Sequence, residues 1–189
     1  DLEDHRLVKD LNTQRYEKNT KTILRWLKDN EMKATFFVVG EIAENTPSII
    51  KQVAEEGHEL GFHSYNHIPL TKTNPKDFTT DSQKGKDLIE DLTGKEILGF
   101  RAPCFSLTRE TIWATEILAD LGFKYSSSVV PIKIPGYGFP GVPEETFLWE
   151  SGLVEFPMVL NQFCGISFPA IGGLYLRYIP SSKGFVIVT

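Results

Sequence analysis

Apolar residues recur along this chain in two alternating rhythms. Over residues 17–30, Thr20, Ile23, Leu24 and Leu27 fall at i, i+3, i+4 and i+7, the spacing of one helix face. The next segment, Lys33-Ala-Thr-Phe-Phe-Val-Val-Gly40, is a continuous apolar run of the kind a strand covered on both faces needs. Thr46-Pro47 then opens a second helix, with Thr as N-cap and Pro at the first helical position. Ile49, Ile50 and Val53 form its inward stripe, and Gly57 closes it. Glu59-Leu-Gly-Phe62 reads as a short strand delivering the chain to His63. A third helix spans 75–92, opened by Asn74-Pro75 and closed by Gly94; the strand Ile97-Leu-Gly-Phe100 follows and ends at Arg101. Thr108 to Leu121 is a fourth helix, ended by Gly122, and Phe123 to Val130 returns as a strand.

The repeated order of strand, loop and helix predicts an α/β fold. We expect a (β/α) barrel, complete or deformed, formed by residues 1–189 as a single domain. Such a barrel places its active site at the C-terminal ends of its strands. From Pro131 to Pro143 the rhythm breaks, because the segment is too rich in Pro and Gly for a helix or a central strand. We expect a loop that walls the active site, the alternative being an excursion across the barrel surface. Short strand-like runs fill Leu153 to Thr189, the last being Gly184-Phe-Val-Ile-Val.

Composition narrows the class. With 41% hydrophobic and 24% charged residues, the 189-residue chain can bury a sizeable core. A net charge of −5 argues against a nucleic-acid partner, which would need a basic patch. No stretch of about 18 apolar residues predicts a transmembrane helix, and no signal peptide is visible. Cys104 and Cys164 do not make a disulfide framework and are read as partly buried free thiols.

The chemistry-bearing residues follow predicted strands. His63-Ser-Tyr-Asn-His67 places two imidazoles at i and i+4, facing one way if the intervening residues form a helical turn. Imidazole suits zinc and similar divalent metals, although such a pair without context is more often not a ligand pair. Asp1-Leu-Glu-Asp4 supplies carboxylates: one to complete a three-ligand hydrolytic site, another to act as general base. Alone it could equally be a solvated acidic segment. Arg101 in Arg101-Ala-Pro-Cys-Phe105 could hold a carboxylate ionised and aimed, or form only a surface salt bridge. His58, between a helix-closing Gly and a strand, reads as structural, and His5 is unassigned.

Taken together, Asp1–Asp4, His63–His67 and Arg101–Phe105 resemble, in order and spacing, the polysaccharide deacetylase family, carbohydrate esterase family 4. Lys33–Gly40 and Gly57–His63 are similar to it as well. Tyr125–Ile132, Gly136–Pro143 and Gly152–Pro157 resemble a narrower subgroup associated with exopolysaccharide and exosortase gene clusters.

The resemblance implies a deformed (β/α) barrel, incomplete at both chain ends. It also implies one divalent metal, zinc first, with Fe, Co, Mn or Ni as alternatives. It makes His63 and His67 ligands, Asp1 the catalytic base and Arg101 its orienting partner. Asp4 is taken as the carboxylate ligand, with Glu3 as the alternative. A backbone N–H near Cys104 would steady the oxyanion, with Phe105 beside it at the substrate. Read from the loop itself, Tyr137 and Phe139 could stack on sugar rings or equally pack on the barrel rim. The implied activity is hydrolysis of a non-peptide carbon–nitrogen bond, removing acetyl groups from an N-acetylated glycan. Alternatives are another amide, such as a peptidoglycan sugar or a cyclic ureide, and a catalytically silent carbohydrate-binding relative.

Two departures stand out. The family's general acid is a His after a late strand, yet no His follows residue 67. We therefore expect a longer protein with His after Thr189. Ser126 occupies a position where the family often carries Asp.

Overall fold

The computed structural model describes residues 1–4, 15–134, 137–163 and 166–169. Its frame is a six-stranded sheet in the order β1-β2-β3-β4-β6-β5. The strands are β1 Thr35–Val38, β2 Glu59–Phe62, β3 Gly99–Phe100, β4 Tyr125–Ser126, β5 Phe147–Leu148 and β6 Val154–Glu155. All neighbours pair in parallel except β5, which runs antiparallel on β6. A separate hairpin joins β7 Leu160–Phe163 to β8 Ile166–Pro169. Leu2 extends the sheet beyond β1 through a parallel bridge to Val38. This is the expected α/β architecture with a mixed sheet, open among the described residues.

Among the described residues, five α-helices connect and cover the strands: α1 Arg15–Asp29, α2 Gly40–Asn45, α3 Pro47–Glu55, α4 Pro75–Thr93 and α5 Trp113–Asp120. Local chemistry explains several of their ends. Asn74 accepts from the Asp77 N–H at 3.0 Å and so caps α4. At the end of α3, Gly57 N–H donates to Ala54 and His58 N–H to Val53, a Schellman closure that needs the positive φ of 77° at Gly57.

Other expectations change. Ile23 is 49% exposed while Thr20, Leu24 and Leu27 are buried, so the inward stripe of α1 is narrower than its spacing suggests. Thr46 holds the N-cap position of α3 as expected, but its side chain makes no capping bond; its hydroxyl meets the Tyr16 hydroxyl at 2.6 Å. The short α2 was not foreseen, because Gly40 begins it. The helix expected over 108–121 divides into a 3-10 turn, Arg109–Thr111, and α5. The strand expected over 123–130 shortens to Tyr125–Ser126. Cys104 is exposed, not partly buried. Within the Pro/Gly loop, Phe139 is buried and packs on Trp149 with ring centroids 5.7 Å apart. His5, Cys164 and the run 184–189 lie outside the described residues.

The core locks the strand ends. Phe62 and Phe100, the last residues of β2 and β3, have no exposed surface and pack at 6.1 Å. Phe123 lies against both, and Phe78 of α4 bridges Phe100 to Trp113 at 5.6 Å on each side. Burying each such ring contributes about 1.5–3 kcal/mol. The residue after each of these two phenylalanines is a candidate site residue.

Candidate active site

The sheet holds the site's backbone. Beyond the strand ends, the ladder continues one residue further: His63 N–H donates to Val38, Arg101 N–H to Phe62 and Ser127 N–H to Phe100, at 2.8–2.9 Å. These three residues therefore stand side by side at the C-terminal edge of the parallel strands, where α/β folds build their sites.

His63 and His67 do come together, with ring centroids 5.0 Å apart, but not on a helical turn. The connecting loop is irregular, with φ of 59° at Ser64 and 54° at His67. Two otherwise orphaned amides at the start of α2 fix that loop: Gly40 N–H donates to the Ser64 carbonyl and Glu41 N–H to that of Tyr65, at 3.0 and 2.9 Å. Gly40 is needed for the approach, because a Cβ there would sit 2.6 Å from the Tyr65 ring.

The carboxylate that joins the two imidazoles belongs to Glu3. Its Oε2 lies 2.5 Å from His67 Nε2 and 3.5 Å from His63 Nε2. The choice of Asp4 as ligand does not fit this geometry. In an extended segment alternate residues share a face. Leu2 is buried against Val38, with its N–H on the Phe37 carbonyl and its own carbonyl taking Val39 N–H. Asp1 and Glu3 therefore share the opposite side.

Asp1 completes the group. Its Oδ2 is 3.8 Å from His63 Nε2, and its Oδ1 accepts from Arg101 Nη1 at 3.0 Å. The other Arg101 donors are committed: Nε to the Ser127 carbonyl and Nη2 to the Ser127 hydroxyl, both at 3.0 Å. The guanidinium also lies 4.2 Å from the Phe37 ring centroid and 5.7 Å from that of Phe105. Arg101 is thus confined to one orientation.

Electrostatics suit the arrangement. Burial alone would raise the Glu3 carboxyl, but hydrogen bonds from His63 and His67 hold it well below the usual range. Burial lowers His63, against the pull of Glu3 and the Arg101 carbonyl. Burial lowers Arg101 to about 10, opposed by Tyr125 and Glu155, which leaves it charged at neutral pH.

Two imidazole nitrogens and one carboxylate oxygen, all within 4.8 Å of one another, match the three-ligand set of a hydrolytic divalent metal. The ring orientation fits as well. His63 Nδ1 lies 2.7 Å from the Arg101 carbonyl oxygen, to which it donates, and Nε2, the nitrogen facing Glu3, is the one that would bind a metal on giving up its proton.

Cys104 and Phe105 follow Arg101 on a strained turn, with φ of 56° and 49°. With Ser64 and His67, they make four of the five non-glycine residues at positive φ among the described residues. Such strain clusters at functional loops. Tyr137 is half-buried in a bridge to Ile134 within the Pro/Gly loop. Sequence reasoning did not single out Ser127, Ser128 or Glu155. The available signals were three consecutive serines after a strand and a lone acid inside an apolar run.

At the C-terminal edge of the parallel strands the fold thus gathers two histidines, two acids and an arginine. The chain belongs to the polysaccharide deacetylase family, whose model matches residues 10–126, a span that includes His63, His67 and Arg101. A second model, a domain of unknown function (DUF3473), matches residues 127–185. A Bacillus cereus peptidoglycan-N-acetylglucosamine deacetylase is 38% identical over 98 residues, covering 51% of this chain and 36% of that relative. A solved Mycobacterium smegmatis structure assigned as a polysaccharide deacetylase superposes with TM-score 0.61 and 26% identity, over 73% of this chain and 44% of that one. A Bacillus anthracis protein described as a CE4 family pseudoenzyme superposes with TM-score 0.52 and 26% identity, over 57% and 37%. These neighbours carry the deformed barrel fold. The chain spans less than half the length of each of these three relatives. Among the described residues, no helix is long and apolar enough to cross a membrane.

Proposed function

We propose that the protein is a metal-dependent N-deacetylase of an N-acetylated glycan. The observation that carries this reading is the Glu3–His63–His67 donor set with Asp1 beside it, clamped by Arg101. The ion, zinc first for a set of two nitrogens and one oxygen, would be held by His63 Nε2, His67 Nε2 and Glu3 and would supply Lewis acidity toward the acetamide carbonyl and water. Asp1 is the general base that accepts the proton of the attacking water. Arg101 pairs with Asp1 and fixes its direction. On the strained turn the Phe105 N–H is spent on the Ala102 carbonyl, and the Cys104 N–H is the donor for the developing oxyanion. The departing sugar amine needs a proton, and no residue is assigned to that step.

The Bacillus cereus relative's name supports a peptidoglycan-type sugar as substrate. Similarity along Tyr125–Ile132 and Gly152–Pro157 supports the exopolysaccharide-associated subgroup. We also read residues 1–189 as one domain, because β4 and β6, on either side of the boundary between the two matched models, pair in one sheet. The pseudoenzyme neighbour favours one second reading, a silent glycan-binding relative.

Metal analysis and acetate release from N-acetylglucosamine oligomers, on the full-length protein and its His63→Ala variant, decide between them. Bound metal with acetate release, both lost in the variant, supports the deacetylase. Metal without release from any acetylated glycan favours the silent relative. A wild type with neither overturns the proposal.

A further inference from the structure

Glu155 is the one Asp, Glu, Lys or Arg among the described residues with no exposed surface. It lies in β6, beside the fully buried Leu153 run and behind the Arg101 clamp. Burying a carboxyl group is costly unless it is met by donors. Here its Oε1 accepts from the backbone N–H of Ser128 at 2.7 Å and of Val129 at 3.1 Å. Its Oε2 accepts from Trp149 Nε1 at 3.2 Å.

The two amides belong to the turn that grips Arg101. The Ser128 hydroxyl accepts from Ala102 N–H at 2.8 Å and from the Ser126 hydroxyl at 2.7 Å, tying the turn to the residue after Arg101. Ser127, between them, takes Arg101 Nε and Nη2 and leaves Nη1 for Asp1. From Glu155 a hydrogen bond reaches Ser128, the backbone carries on to Ser127, and hydrogen bonds continue through Arg101 to Asp1.

We propose that Glu155 is a positioning residue for the deacetylation, acting through Ser127 and Arg101 on the aim of Asp1. The inference rests on the reaction proposed above. Glu155 touches neither the metal donors nor the Asp1 carboxylate. Its loss therefore changes the placement of the base and leaves metal and substrate binding intact.

The test uses the full-length protein. Glu155→Met keeps the volume and removes the acceptors; Glu155→Gln keeps one carbonyl oxygen for the Ser128 and Val129 amides. We expect kcat for acetate release to fall about 10–100-fold in Glu155→Met, the usual cost of losing a supporting partner, with KM and metal content unchanged. Glu155→Gln should recover most of that loss. In an Arg101→Met background, Glu155→Met should cost less than about twofold further, because the two residues act as one unit. An unchanged kcat in folded Glu155→Met, or the same fractional loss with and without Arg101, overturns the proposal.

A wild type that releases no acetate refutes the reaction itself. The link from Glu155 to Arg101 is then decided by the Arg101 Nε–H resonance, assigned by comparison with Arg101→Lys. It should be protected from exchange in the wild type and lose protection in Glu155→Met. An unchanged resonance overturns the link.

Discussion

Arg101 spends two of its donors on Ser127 and reserves Nη1 for Asp1, which it meets at 3.0 Å. The two residues lie 100 positions apart in sequence. Removing the carboxylate while keeping its shape tests the base directly. Asp1→Asn should lower kcat for acetate release by about 10²–10⁴-fold, the usual contribution of a positioned general base. Metal content should hold, because Asp1 is not one of the three grouped donors. Steady-state kinetics with parallel metal analysis check both halves.

The neighbouring acids separate by the same logic. Glu3→Gln should release metal on dialysis, and Asp4→Asn should retain it. Equal retention by both variants would show that the grouping of Glu3 with the histidines does not bind an ion.

Gly85 in α4 offers a contest between two known effects. An alanine in a helix interior is favoured over glycine by about 0.8–1.0 kcal/mol. Here a Cβ would sit 2.2 Å from the ring of Phe62, which has no exposed surface and packs tightly on Phe100 and Phe123. Overpacking a well-filled core costs about 1–3 kcal/mol. Gly85→Ala should therefore lower Tm, and because Phe62 precedes His63, it should also weaken metal retention. A rise in Tm would show that the ring yields freely.

His58 sets an acid limit on stability. Burial lowers its pKa from 6.5, helped by the Lys33 ammonium and opposed by Glu56. It is a structural residue: its Nδ1 faces the Ala34 N–H at 3.4 Å, and its ring packs on Phe36 at 5.4 Å. With a folded pKa below the unfolded one, the unfolded chain binds more protons between the two values. Its contribution is complete above pH 6.5 and is lost as pH falls through the folded value. His58→Asn, which keeps an acceptor for Ala34, should lose less stability than the wild type on acidification from pH 7 to 5. Denaturant midpoints at each pH give the comparison.

The sequence alone carried what is local or periodic. Asn74 as a cap, Gly57 as a terminator and the apolar run of β1 could be read directly, because neighbouring residues specify them; His63 and His67 meet through a loop held by the start of α2, not through the helical turn their spacing suggested. The same local signals misled where packing intervened: Thr46 turned to Tyr16 and Ile23 to solvent. Tertiary structure decided the rest. The bridge between Leu2 and Val38 put Glu3, not Asp4, beside the histidines, because strand parity becomes visible only once the partner strand is known. The meeting of Arg101 with Asp1, and of Glu155 with the serine turn, depends on the order of strands in the sheet. Long-range register of this kind leaves no periodic trace along the chain.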